Sequence, residues 1–131
     1  MINLPLIQVI FIILNIILAK IDANKILAQK QINHTMNALV YIVFLIIAFF
    51  IGDYLQLNLL QKMSMILSLL LTRKVVFDIS LSLFRGLSWN YTSKSTGSVI
   101  DKIENKIFKS GTVKYFFYSS LLLILIILNI L

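Results

Sequence analysis

ALVYIVFLIIAFFI, residues 38–51, carries no charge, and its only polar atom is the Tyr41 hydroxyl. The run is longer than an ordinary strand and has no turn residue inside it, so it reads as helix. Extended to its flanks it gives a span from Met36 to Gly52. Such a segment suits either the core of a large protein or a bilayer. The rest of the chain decides between them. Of 131 residues, 60% are hydrophobic, and the mean hydropathy is +0.96. A soluble fold of this length has too little interior to hide that much apolar surface, and the surplus would form aggregating patches.

Working outward, three more apolar runs follow the same pattern. Ile2 to Ala19 is one, with Pro5 in its first turn, where a missing N–H costs little. Val113 to Leu131 is another. Leu55 to Thr72 is a third, interrupted only by Lys62, which can snorkel toward headgroups. The expectation is an all-α integral membrane protein of one domain, residues 1–131. Its four transmembrane helices are expected at about 2–19, 36–52, 55–72 and 113–131, with cytoplasmic segments 20–35 and 73–112. The opening residues lack the basic stretch and cleavage site of a signal peptide, so the first run is read as a retained span.

Charge orients these spans. Eleven of the twelve basic residues fall in two segments. Lys20, Lys25 and Lys30 follow the first span. Arg73, Lys74, Arg85, Lys94, Lys102, Lys106, Lys109 and Lys114 follow the third. The positive-inside rule puts both segments in the cytoplasm and both termini outside it. The net charge of +7 then reads as topology and contact with anionic lipids rather than nucleic-acid binding.

Between Arg73 and Val113 the sequence is more polar. VVFDISLSLF alternates partly with period two. A lone strand at a membrane would leave its backbone unpaired, so helix is preferred. SVIDKIENKIF reads as an amphipathic helix that lies flat at the membrane surface, with Val99, Ile100, Ile103 and Ile107 on its apolar stripe. Lys102, Lys106 and Lys109 lie opposite. Ser98 with Asp101 is expected to cap it, and Gly111 to end it. Gly52-Asp53 is expected to make a tight reversal between the second and third spans.

Four groups of polar residues are candidates for function. Arg73, Lys74, Asp78 and Arg85 form a candidate cluster at the cytoplasmic end of the third span, with Lys74 and Asp78 at helical i, i+4 spacing. The alternatives are a structural ion pair and an anion or proton site using Arg73 and Arg85. Asn58, Gln61, Ser64, Ser68 and Thr72 recur every three or four residues and form a candidate helix-packing face. Asp22, Asn33 and His34 lie near the entry to the second span. Ser93, Ser95, Thr96 and Ser98 have no accompanying base, which argues against nucleophilic catalysis. With no cysteine and one histidine, disulfides, Cys-based zinc sites and paired-histidine metal motifs are excluded within one chain. No cofactor, metal or enzymatic activity is expected.

The run Arg73-x-x-x-Phe77-Asp78, the pair Arg85-Gly86, the Tyr-Thr-Ser tract and the motif Ile100-Asp101-Lys102-Ile103 together resemble uncharacterised small membrane proteins of Bacteroidota and their phages. The resemblance implies a multi-pass protein of viral or prophage origin, in a bacterial cytoplasmic or virion membrane, with no activity attached. The function expected is a non-catalytic structural or accessory component, self-associating or part of a larger membrane complex. A holin-like pore former and a small-ion or proton channel or transporter component are the alternatives.

Overall fold

The computed structural model describes residues 4–30, 34–92 and 99–130, with side chains for 6–30, 36–92 and 101–127. Every regular element is helical: α1 Leu4–Leu27, α2 His34–Tyr54, α3 Leu59–Thr72, a π-helical segment Arg73–Phe77, α4 Asp78–Phe84, α5 Val99–Ile107 and α6 Gly111–Ile130. No strand occurs among the described residues, in keeping with the helical reading of VVFDISLSLF. No glycine or proline lies between Leu59 and Phe84. Nothing there breaks the chain, so α3, the π segment and α4 run on as one helix.

Two helices are long and apolar enough to cross a bilayer, Leu6–Leu27 and Met36–Tyr54. A third joins them if the bent pair Asp101–Ile107 and Gly111–Ile127 counts as one span. α3 is apolar, but its 14 residues fall short of the roughly 20 a span needs.

The expected reversal at Gly52-Asp53 falls later. α2 continues through both residues, and the turn occupies residues 55–58, with Gln56 at φ 56°. Leu57 N–H donates to the Gly52 carbonyl at 3.0 Å and Gln56 N–H to that of Asp53 at 2.9 Å. These are the paired bonds of a Schellman stop, which needs a left-handed residue after the helix. Gln29 (φ 55°) ends α1 in the same way, and Gly86 (φ 72°) ends α4. Gly52 instead lets α3 come close. A Cβ there would lie 3.1 Å from Lys62 Cγ.

Gly111 also differs from expectation. It does not end α5 but opens α6. A Cβ on it would sit 1.9 Å from the Asn90 carbonyl oxygen, so the loop after α4 can pass over α6 only because this residue has no side chain. The expected Ser98 cap lies outside the described residues.

Pairwise contacts fix the directions. Phe11 meets Phe44 (centroids 4.6 Å apart), Asn15 meets Tyr41 and Asp22 meets Asn37, so α1 and α2 are antiparallel. Gln8 meets Thr72 and Lys20 meets Phe84, so α1 runs parallel to the long helix. α3 packs mainly against α6, while α4 and the π segment pack mainly against α1. The core joins Ile7, Phe11, Ala48, Met65 and Leu69. It is small, and large apolar side chains point outward from α2 and α6, among them Phe50 at 66% and Phe116 at 72% exposure. Water would penalise that surface and lipid does not. In lipid, helices are held together by close packing and interhelical hydrogen bonds.

α5 bends 101° away from α6 and so lies across it. Ile103 and Ile107 are exposed, whereas Glu104 is buried. At about 100° per residue, α5 has three faces: isoleucine outward, Asp101 and Glu104 inward, and Lys102 and Lys106 on the remaining side.

Candidate functional site

The site grows from two adjacent cations. Arg73 and Lys74 open the π segment, and Asp78 follows as the first residue of α4. The helical spacing read from the sequence is realised: Lys74 Nζ lies 3.0 Å from Asp78 Oδ2. Arg73 reaches the other oxygen of the same carboxylate at 3.5 Å. Its guanidinium stacks 3.7 Å over the Phe77 ring and 4.7 Å from the centroid of Tyr41.

Two further carboxylates come from α5. Lys74 Nζ also lies 3.1 Å from Asp101 Oδ1 and 3.0 Å from Glu104 Oε2. Glu104 in turn accepts from Lys114 Nζ at 3.2 Å and from the Tyr118 hydroxyl at 2.9 Å. The Glu104 and Lys114 side chains are each 6% exposed. The sequence pointed to one carboxylate among three cations; the structure closes three cations, Arg73, Lys74 and Lys114, on three carboxylates. Burying an unpaired charge is costly, and a closed neutral set avoids that cost. Asp101 and Glu104 stand at i, i+3 on one helix face. That spacing was the available sign that α5 contributes acids as well as lysines.

Burial alone would lower the pKa of Lys74. Asp78 and then Glu104 outweigh it and hold the ammonium above the ordinary lysine value. Lys74 is therefore charged at neutral pH. Arg85 stands apart from the network. It caps α4, with its guanidinium 5.9 Å from the Tyr91 ring.

The serine-threonine stripe divides in two. Asn58 and Gln61 form a reciprocal capping box at the start of α3, at 2.9 and 3.0 Å, and both are exposed. Ser68 donates to the Met65 carbonyl and Thr72 to that of Ser68. Both are buried, and Thr72 also accepts the Gln8 amide. Through Gln8 this lower half meets α1. Ser64 between them has a buried hydroxyl without a partner, beside an apolar groove of about 770 Å³ lined by Phe49, Leu60, Met63, Leu67 and Leu125.

A second polar line was missed in the sequence. Gln8, Asn15 and Asp22 recur every seven residues on α1, which keeps them on one face. Each bonds a neighbouring helix. Fully buried Asn15 accepts from the Tyr41 hydroxyl at 3.0 Å and donates to the Phe11 carbonyl at 2.7 Å. Asp22 accepts from the Asn37 amide at 2.5 Å and lies 3.8 Å from Lys25. Asn33 and the side chain of His34, expected near Asp22, lie outside the described residues, as do Ser93, Ser95, Thr96 and Ser98. Among the described residues no three His, Cys, Asp or Glu are grouped to hold a metal ion.

Compared with known protein families, with curated protein sequences and with solved structures, the chain matches none of them.

Proposed function

We propose that the chain is a non-catalytic multi-pass membrane protein that serves as a structural or accessory component of a membrane assembly. The observation that carries this reading is the closed network around Lys74. Its six charges are spent on one another, and they tie α5 and α6 to the long helix. A buried set of this kind fixes an arrangement and leaves no reactive group poised. The seven-residue polar line of α1 adds interhelical bonds of the kind that hold membrane helices in register.

On this reading the chain crosses the membrane four times, at about 2–19, 36–52, 55–72 and 113–131, with 73–112 on the cytoplasmic side. The alternating directions of α1, α2 and the long helix support it, as does the gathering of basic residues in two segments. Both termini then face away from the cytoplasm, and α5 lies at the inner surface with Ile103 and Ile107 in the lipid. The partners are anionic lipids and either further copies of the chain or a larger complex. The sequence resemblance supports a viral or prophage setting in a bacterial membrane.

Induced expression in bacteria tests the proposal, with membrane potential, lysis and detergent-solubilised oligomer size followed together. An intact potential with a discrete small oligomer or a co-purifying partner is expected. Timed collapse of the potential with large oligomers would instead establish a pore.

A further inference from the structure

The chain has five carboxylates, and every one is engaged with a basic side chain: Asp22 with Lys25, Asp53 with Lys62, and Asp78, Asp101 and Glu104 with Arg73, Lys74 and Lys114. Among the described residues this leaves Lys20, Lys30, Arg85, Lys102, Lys106 and Lys109 without a carboxylate. The five lysines are exposed and solvated; Arg85 is half-buried. It lines a cavity of about 120 Å³ together with Ser82, Tyr91, Thr92, Asn105 and Lys114. A cation withdrawn from water without a counter-ion is unfavourable, and a polar cavity beside it is where an anion would sit.

The acids on the same wall do not exclude an anion. Asp78 and Asp101 also line the cavity, but Arg73 and Lys74 neutralise them. Counting Arg85 with the six charges of the network, the surroundings carry one net positive charge. That suits a singly charged phosphodiester. The planar guanidinium matches phosphate oxygens in a paired geometry, and the cavity holds several waters or one phosphate group. Thr92 and Asn105 add polar side chains at the rim.

We propose that Arg85 and this cavity bind a phosphate group, supplied by the headgroup of an anionic lipid or by free phosphate. The site rests on the pocket and its charge; only the lipid source rests on the membrane reading. The full chain, purified in neutral detergent, is titrated with phosphatidylglycerol or phosphatidylcholine, and bound lipid is counted by native mass spectrometry. Arg85→Gln is expected to weaken phosphatidylglycerol binding about tenfold, the scale of one charge-assisted hydrogen bond. Lys30→Gln, which removes an exposed charge, leaves binding unchanged. Arg85→Lys falls between, keeping the charge and losing the paired donors. Inorganic phosphate that displaces the lipid, with the same dependence on Arg85, assigns the site to free phosphate. Equal binding of the two lipids without any phosphate binding, or an undiminished signal in a folded Arg85→Gln variant, overturns the proposal.

Discussion

Lys74 is the side chain around which the network closes, because its ammonium alone touches all three carboxylates. Lys74→Gln takes one cation from each of these acids, and breaking a buried ionic set by removing one partner costs about 3 kcal/mol. The pH dependence follows from the direction of the shift. The folded chain holds this proton more tightly than the unfolded one. The contribution is therefore complete below the ordinary lysine pKa of about 10.4 and fades only as pH rises through the higher folded value. Thermal melts in detergent are expected to show a constant gap between wild type and Lys74→Gln from about pH 7 to about pH 9; a gap that closes within that range contradicts the assignment. Gln56 offers the opposite effect. A non-glycine residue in the left-handed region is strained, so Gln56→Gly is expected to raise the unfolding free energy by about 0.5–1 kcal/mol. The Lys74–Asp78 pair was legible because both residues share one helix. Asp101 and Glu104 were not, because their approach depends on where a loop delivers α5, and no local periodicity encodes that.

Among elements, helix identity was readable and helix ends were not. Unbroken apolar runs leave the backbone no alternative in lipid, which fixed α1, α2, α3 and α6 as helices. Their ends depend on which residue takes the left-handed stop: Gln56 does so after α2, in place of the reversal expected at Gly52-Asp53, and Gln29 does so after α1. The glycines that the sequence assigned to turns serve instead as thin points between elements. Gly111 is the sharper case, since any side chain there meets the backbone of Asn90. Gly111→Ala is expected to cost about 2 kcal/mol, as overpacking against an unyielding neighbour does. It should also disturb the Asn90–Thr112 hydrogen bond of 2.9 Å. Gly86→Ala meets no atom within 4 Å and carries only its φ of +72°, so it should cost about 1 kcal/mol. Unfolding of the two variants side by side checks the order.

At the scale of the molecule, charge and topology converge. Among the described residues the five acids hold five basic residues and leave six without a carboxylate, in a chain of net charge +7. All six fall within 20–35 or 73–112. The absence of cysteine makes single introduced thiols clean reporters of which side these segments occupy. Gln56→Cys is expected to react with a membrane-impermeant maleimide in intact cells, and Lys106→Cys only after permeabilisation. The reverse pattern overturns the orientation, and labelling of both in intact cells overturns the four-span path. The proposed orientation rests on the basic residues alone. The pairing that leaves this surplus unneutralised needed the positions of all five acids.

The π-helical segment has a consequence for insertions and deletions. A π turn holds one residue more than the α turn it replaces. The long helix faces α6 above the segment and α1 below it. Because the wide turn absorbs its extra residue, loss of one codon here leaves an α turn and keeps the two faces in phase, whereas the same loss within α3 rotates everything below by about 100°. Deleting Val76 should therefore disturb detergent-stable folding less than deleting Leu67, although both remove only one aliphatic residue.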